Sequence, residues 1–327
     1  MHLDRNAPAI AMNDKEKVAQ GSNKKELYGS STDAMYGGIL TFMRRRYSRE
    51  LAGVDVAVTG IPFDTATTNR PGARFGPGGI RAASTNLAWA RLDDWGFDAF
   101  DQLSVVDYGD CEFDHGMPQA IPDQIQAHAA AILSQDVALL SLGGDHFVTY
   151  PVLKAHAEIH GPVSLIHFDA HSDTWEDPDE RIDHGTVFFR AAEDGIVVPA
   201  RSVQIGLRTY NESDCGFNII KAPWVHEQGI KAVVEEVKRI VGGNKCYLTF
   251  DIDCLDPSMA PGTGTPVIGG LSTHQAQQIL RGLAGINLVG MDLVEVAPAY
   301  DVGDITSLAG ATLALEMLYL YASKPSA

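Results

Sequence analysis

The pattern of hydrophobic positions along the chain predicts a series of short strands. Seven runs rich in apolar and β-branched residues have this character: VDVAVTGIPF from Val54, LSVVDYGD from Leu103, VALLSLGGDH from Val137, VSLIHFDAHSD from Val163, SVQIGLR from Ser202, KCYLTFDIDCLD from Lys245 and NLVGMDLVEV from Asn287. Most of them are apolar almost throughout. Such runs are typical of parallel strands that are buried on both faces.

Segments with the apolar spacing of helices lie between these runs. They are IPDQIQAHAAAILSQ from Ile121, FVTYPVLKAHAEIH from Phe147, IKAVVEEVKRIVGG from Ile230, HQAQQILRGLAG from His274 and TSLAGATLALEMLYLYAS from Thr306. The last is apolar on nearly every face, so we expect it to be mostly buried. Alternating strands and helices predict an α/β fold, in which a parallel sheet is covered by helices on both sides.

The length of the chain and the composition along it predict its domain organisation. Its 327 residues allow either one large α/β domain or two smaller ones. The first 35 residues are polar, which predicts a flexible N-terminal tail. After residue 36 there is neither a linker-like change of composition nor an internal repeat. We therefore expect residues 36–327 to form a single domain.

Charge and cysteine content narrow the class of protein. The net charge of −17 argues against a nucleic-acid partner, because phosphate backbones are bound by clustered Lys and Arg. The four cysteines have no paired CxxC spacing, which favours a reducing compartment. Residues 1–35 resemble no targeting sequence, and no run of 18 apolar residues suggests a membrane span. We expect a cytoplasmic protein without a membrane partner.

Potential metal ligands follow two of the predicted strands. Asp169, His171 and Asp173 come directly after VSLIHF, at alternate positions of an extended chain. Asp251 and Asp253 end CYLTF with the same spacing. Two carboxylates buried close together raise each other's pKa and also lose hydration, so such a pair requires a cation.

A third strand, VALLSLGG, ends at Asp145 and His146. Taken alone, His146 is more simply a core histidine and Asp145 a helix N-cap. Because functional groups gather at the carboxyl ends of parallel strands, the three strand ends are expected to converge. We expect two metal ions with bridging oxygens, bound by His146, Asp169, His171, Asp173, Asp251 and Asp253. The mostly oxygen ligand set favours a hard ion such as Mn²⁺ over Zn²⁺.

Five ordered motifs resemble the ureohydrolase (arginase and agmatinase) family. They are GGDHF at 143–147, HFDAHSD at 167–173, DHGT at 183–186, TFDIDCLDPSMAPGTGTP at 249–266 and DLVEVAPAYD at 292–301. The similarity to bacterial agmatinases extends from about residue 36 to residue 324. It implies a three-layer α/β/α fold around a mostly parallel, eight-stranded sheet, two Mn²⁺ per subunit bound by the same six residues, and a homo-trimer or homo-hexamer.

The resemblance also implies the reaction and two catalytic residues. Enzymes of this family hydrolyse a guanidino group to urea and an amine. Glu295 matches the glutamate that binds the substrate's guanidinium, and a carboxylate suits a bidentate pair with it. His184 matches a loop histidine that carries a proton to the departing amine. We expect Asp256 to be a turn or supporting residue and His167 to be supporting structure.

The choice of substrate depends on the loop after Asp173. Arginases resemble one another in having an asparagine where this chain has Trp175, and an indole does not anchor an α-carboxylate in that way. The residues that follow make this loop strongly acidic: Glu176, Asp177, Asp179, Glu180 and Asp183. We expect most of them to be solvated, and one or two near the cleft suffice to attract a distal ammonium. Agmatine therefore fits best, with putrescine as product. Guanidinobutyrate and guanidinopropionate remain alternatives within the same chemistry.

Two segments with several arginines lie outside the motifs of the predicted metal site. We expect RPGARFGP at 70–77, with Arg70 and Arg74, to be structural, and Arg44, Arg45 and Arg46 to form a solvated patch or a subunit contact.

Two functions of other classes remain open: a zinc amide deacetylase, or a non-catalytic homologue that binds a partner protein. The second D-x-D pair disfavours the former, and retention of every catalytic position disfavours the latter.

Overall fold

A parallel sheet of eight strands forms the centre of the structure. The computed structural model describes residues 36–89, 92–177, 179 and 181–324, so the predicted tail of residues 1–35 lies outside the described residues. All strand pairs are parallel, in the order β2-β1-β3-β8-β7-β4-β5-β6. The strands are β1 (Val56–Ile61), β2 (Val105–Asp110), β3 (Ala138–Gly143), β4 (Ser164–Phe168), β5 (Val203–Leu207), β6 (Asn218–Lys221), β7 (Cys246–Asp251) and β8 (Leu288–Val294).

Helices cover both faces of this sheet. They are α1 (Gly76–Ser84), α2 (Ala99–Gln102), α3 (Ile121–Leu133), α4 (Thr149–His160), α5 (Val187–Glu193), α6 (Ala222–Val241), α7 (Thr273–Gly282) and α8 (Ile305–Ala322). Helices α3, α4 and α5 pack on one face, around a core that includes Ile125 and Val152. Helices α1, α6, α7 and α8 pack on the other, around a core that includes Ile279 and Leu313. The predicted three-layer α/β/α fold is confirmed.

Some elements differ from the sequence prediction. Strand β6 was not predicted, because it is a short edge strand with little apolar patterning. Helix α6 begins at Ala222, ahead of the predicted start at Ile230, and is kinked at Gly229. Helix α1 begins in the glycine-rich motif predicted to be structural. An added Cβ at Gly76 would lie 2.5 Å from the carbonyl oxygen of Val296, so the close approach of helix and sheet requires glycine there.

The last helix, α8, is a core helix. By length and hydropathy alone it could cross a membrane, but 78% of it is buried inside the fold. It packs against α1 and α7. The predicted burial of this helix is confirmed.

Two of the three consecutive arginines are buried, which contradicts the predicted solvated patch. Arg44 is 1% exposed and Arg45 is 2% exposed, whereas Arg46 is exposed. The segment that carries them lies along the edge strand β2 and covers it. Arg44 donates a hydrogen bond to the carbonyl of Gly37, and the guanidinium of Arg45 lies 4.4 Å from the ring centroid of Phe100.

The strand order places four predicted motifs side by side. β3, β8, β7 and β4 are adjacent at the centre of the sheet, and all of them point in the same direction. The residues that follow their carboxyl ends therefore meet above one edge of the sheet.

Candidate metal centre

The structure brings all six predicted ligands together above the central strands. Asp169 directly follows β4, Asp251 is the last residue of β7, and Asp253 lies two residues further on. His146 lies three residues after the end of β3. Five of the six are buried, and the side chain of His171 is 25% exposed. The cluster forms the base of a cavity.

One half of the cluster is centred on His146. Its Nδ1 lies 3.0 Å from Asp169 Oδ2, 3.0 Å from Asp173 Oδ2 and 3.3 Å from Asp251 Oδ2. This nitrogen is buried and makes no well-formed hydrogen bond with any of them. The other ring nitrogen, Nε2, is 2.9 Å from Thr249 Oγ1. With Nε2 hydrogen-bonded to the hydroxyl, Nδ1 faces three carboxylate oxygens, an arrangement that suits a shared cation.

The other half of the cluster is centred on His171. Its Nδ1 lies 3.3 Å from Asp169 Oδ1 and 3.1 Å from Asp253 Oδ2. Asp169 thus presents one oxygen to His146 and the other to His171. Two groups of nearby donor atoms result, and both contain Asp169: His146, His167, Asp169 and Asp173 in one, and Asp169, His171 and Asp253 in the other.

Crowded negative charge perturbs these groups. Burial, with the nearby charges of Asp253 and Asp169, raises the pKa of Asp251 well above its usual range. Burial and Asp169 raise the pKa of Asp253 as well. Burial opposes charge on His171, but Asp253 and Asp169 raise its pKa to about 12. Each of these shifts marks a site that lacks positive charge, so the residues present fit a pair of metal cations.

Glu295 and His184 form a second polar group beside the cluster. Glu295 Oε1 accepts a hydrogen bond of 2.9 Å from the backbone N–H of His146 and lies 2.9 Å from His184 Nδ1. Its other oxygen, Oε2, is buried and has no hydrogen-bond partner within the part of the chain that the structure describes. His184 Nε2 is 2.9 Å from Thr68 Oγ1. Burial opposes charge on His184, but Glu295 raises its pKa to about 9.

The backbone is strained at two of these positions. Glu295 has a φ of 65° and Asp173 a φ of 49°, in the left-handed region that side chains rarely adopt. Glu295 follows the last residue of β8, where this turn brings its N–H to the carbonyl of Gly144. Strain of this kind concentrates at functional sites, where the surrounding structure enforces it.

The cluster opens into a cavity of about 410 Å³. His171, Asp173 and Asp251 lie at its base, and the walls are formed by Thr68, Trp175, Glu176, Arg181, Asp183, His184, Gly185, Thr186 and Thr265. The sequence pattern predicts the acidic and histidine residues of this cavity but not Thr68, Thr265 or Arg181. Nothing in the local sequence separates these from ordinary loop residues.

The acidic loop contributes less negative charge to the cavity than its composition predicts. Asp177 is buried and pairs with Arg190 at 2.8 Å, while Arg181 lies 3.5 Å from its other oxygen. Glu176 and Asp183 do line the cavity, but Arg181 lines it too. Two of the five acidic residues of this loop, Glu176 and Asp183, therefore line the cavity, whereas Asp177 is neutralised by its partners and Glu180 lies outside the described residues.

Other predicted residues are in structural roles. Asp145 is the N-cap of a short helical turn and accepts from the N–H of Phe147, as predicted. Asp256 accepts hydrogen bonds within its turn from Ser258, Gly269 and Gly270, and those from Ser258, its largest influence, help lower its pKa to about 2. Arg74 pairs with buried Asp64 at 2.5 Å, which fixes the loop that precedes α1.

Comparison with known proteins agrees with this geometry. A sequence profile of the arginase family matches residues 54–319. The chain is 52% identical over 316 residues to an agmatinase of Chromobacterium violaceum, covering 96% of this chain and 98% of that one. It is 54% identical over 268 residues to an agmatinase of Cronobacter sakazakii, covering 82% and 87%.

Solved structures give the same result. A hypothetical agmatinase from Burkholderia thailandensis superposes with a TM-score of 0.89 at 56% identity, over 90% of this chain and 94% of that one. The proclavaminate amidino hydrolase of Streptomyces clavuligerus superposes with a TM-score of 0.83 at 38% identity, over 89% and 99%. From its sequence profile, its close relatives and its fold, the chain belongs to the arginase family.

Proposed function

We propose that the protein is an agmatinase, a hydrolase that converts agmatine and water into putrescine and urea. The proposal is carried by the placement of Glu295, whose unpaired buried oxygen lies beside a cluster of uncompensated carboxylates. The agmatinases that match this chain at 52–54% identity over most of its length support the choice of substrate.

Two Mn²⁺ ions are the proposed cofactors. Enzymes of the arginase family use a binuclear divalent metal site. In this chain His146, Asp173 and Asp251 would hold one ion, His171 and Asp253 the other, and Asp169 both. When bound, the ion pair lowers the pKa of water and so supplies hydroxide as the nucleophile at neutral pH.

The proposed catalytic residues of the chain bind the substrate and move a proton. Glu295 would accept from the guanidinium through its unpaired Oε2 and so orient the guanidinium carbon, while Oε1 stays with His146 N–H and His184. His184 supplies a proton to the departing amine, because an amide anion is too basic to leave. With its pKa raised to about 9, His184 carries that proton at neutral pH, and Thr68 and Glu295 hold its ring in place.

The distal end of the substrate would lie near Trp175, Glu176 and Asp183. An exposed indole together with two carboxylates favours an ammonium group. Arg181 on the same wall favours a carboxylate instead, which keeps 4-guanidinobutyrate as the second candidate. The pairing of Arg181 with Asp177 weakens this second candidate.

The experiment is urea release from agmatine, arginine and 4-guanidinobutyrate by the Mn²⁺-loaded protein. We expect agmatine to be hydrolysed with the highest kcat/KM. A preference for 4-guanidinobutyrate would overturn the substrate assignment. In the matched variant Arg181→Gln, the rate with agmatine should be kept or increased, and a loss confined to 4-guanidinobutyrate would show which substrate uses this arginine.

The remaining proposals concern organisation. We propose a single catalytic domain over residues 36–327 with a flexible tail over residues 1–35, a homo-trimer or homo-hexamer, and a cytoplasmic location. The four free cysteines support the proposed compartment. One continuous eight-stranded sheet with a core on each face supports the single domain. Light scattering coupled to size exclusion would test the assembly, and a monomer would contradict it.

A further inference from the structure

Two buried side chains lie behind the shared carboxylate of Asp169, on the side away from the cavity. His167 is on β4 and Gln204 is paired with it in register on the neighbouring strand β5. Both are 0% exposed. The ring of His167 is held by Phe188, whose ring centroid is 4.3 Å away. Burying a histidine and a glutamine together in a sheet is costly unless their hydrogen bonds are satisfied.

The direction of the hydrogen bonds in this group is fixed by one backbone carbonyl. Gln204 Nε2 lies 2.6 Å from the carbonyl oxygen of Ser172 and 3.0 Å from His167 Nδ1. A carbonyl only accepts, so the atom facing it must be the amide nitrogen. That nitrogen has a second hydrogen for His167, whose Nδ1 must therefore accept.

It follows that the proton of His167 is on Nε2. That nitrogen lies 2.7 Å from Asp169 Oδ2 and donates to it. Neither ring nitrogen of His167 is then available to bind a metal ion, although the ring lies close to the donor atoms of His146, Asp169 and Asp173. The chain of donors runs in one direction, from Gln204 through His167 to Asp169.

The carboxylate that accepts this hydrogen bond, Asp169, is the one that both halves of the cluster share. Its Oδ2 faces His146 and its Oδ1 faces His171, which also donates its backbone N–H to Oδ1 at 2.6 Å. A carboxylate on a single bond can rotate. One fixed donor on each oxygen sets its plane, and with it the direction in which each oxygen points.

We propose that Gln204 and His167 are positioning residues, which orient Asp169 to bridge two metal ions through a one-way chain of hydrogen bonds. This inference rests on the proposed metal centre. It assigns His167 to the support of Asp169 rather than to a metal. Replacing either residue should weaken metal binding without touching the groups that bind the guanidinium.

The test is calorimetric titration of the metal-stripped protein with Mn²⁺, compared between wild type and Gln204→Leu. The substitution keeps the volume of the side chain and removes its donors. We expect Mn²⁺ affinity to fall about 10- to 100-fold, the usual cost of losing an outer hydrogen-bond partner. With saturating Mn²⁺, kcat for agmatine should fall while KM changes little. Ile205→Val is the control, because Ile205 points to the opposite face of β5 and should bind Mn²⁺ like wild type.

Wild-type affinity in folded Gln204→Leu would overturn the inference. If this variant does not fold, His167→Phe and His167→Gln replace it: phenylalanine removes both hydrogen bonds, whereas a glutamine amide can accept from Gln204 and donate to Asp169. Weak binding in His167→Phe with near wild-type binding in His167→Gln supports the relay, and equal affinities overturn it. Failure of the wild type itself to bind Mn²⁺ would refute the proposed metal centre, and the inference with it.

Discussion

Two sites with buried acidic side chains, one with a single carboxylate and one with four, show opposite solutions to the same electrostatic problem. On α8, Glu316 is fully buried, but it accepts hydrogen bonds from Trp95, Gln277 and Arg281, the last at 2.5 Å. Above the central strands, four aspartates lie around two histidines. Among the residues that the structure describes, no Lys or Arg pairs with any of these four.

The difference separates structure from function. A buried carboxylate that the chain itself neutralises can belong to the scaffold, because nothing further is required for its stability. A cluster left without compensation requires a cation from outside the chain. By this criterion Glu316 supports the fold, and the four aspartates form the candidate metal site.

The largest expected effect is on the uncompensated cluster. Asp253→Ala should lose one metal ion, because Asp253 faces only the half of the site centred on His171. Turnover should fall by more than about a hundredfold, since losing a metal ligand costs more than losing an outer hydrogen-bond partner. Metal analysis and urea release measure both. Retention of both ions and of turnover would show that the ligand set is wrong.

The compensated cluster should respond in stability rather than in activity. Arg281→Met leaves Glu316 buried with its charge partner removed, which should lower the free energy of unfolding by about 3–5 kcal/mol. Denaturant unfolding measures this loss. The double variant Arg281→Met with Glu316→Leu should recover most of it, and kcat of the folded protein should stay unchanged. A fall in kcat of the fully folded double variant would contradict the proposed separation between the structural Glu316 site and the functional aspartate cluster.

A buried histidine outside both acidic sites, His156, contributes to the pH dependence of stability. Burial lowers the pKa of His156 to about 4, while the unfolded chain has the ordinary value of about 6.5. The unfolded state thus binds more protons between these values, so stability is full above pH 6.5 and falls towards pH 4, by about 3 kcal/mol.

His156→Leu should flatten that fall, as measured by unfolding at several pH values. His128, whose pKa burial also lowers to about 4, keeps part of the slope. An unchanged slope in the variant would mean that the two carboxylate clusters, rather than His156, control the response to acid.

The smallest expected effect is a change in thermal stability that has opposite signs without and with bound metal. In the metal-free protein, Asp251→Asn keeps the Oδ1 acceptor of Asp253 N–H and removes one of the crowded, buried negative charges. We expect this relief of like charge to stabilise the metal-free fold by about 1 kcal/mol. With Mn²⁺ present the same variant should be less stable than wild type. Thermal unfolding with and without Mn²⁺ decides this, and destabilisation in both states would contradict the electrostatic account.

The site was predictable because its residues follow from local rules. Parallel strands bring their carboxyl ends to one edge, which places the residues after β3, β4 and β7 together. Asp173 departs from the predicted alternation along an extended chain, because β4 ends at Phe168 and the φ of Asp173 is 49°. Gln204 could have been noticed as a polar residue in the otherwise apolar strand SVQIGLR.

Other features depend on contacts that no local pattern encodes. The burial of Arg44 and Arg45 depends on a loop covering β2, and the neutralisation of Asp177 depends on Arg190 on α5. The glycine-rich start of α1 is a helix only because it packs against the residues that follow β8. These features appear only when distant segments meet.

Metal stoichiometry of the active enzyme tests the central claim most directly. Elemental analysis of purified, fully active protein should find two divalent transition-metal ions per chain, and a chelator should abolish urea release until Mn²⁺ is restored. Full activity without stoichiometric metal would contradict the claim that the uncompensated aspartates exist to bind cations.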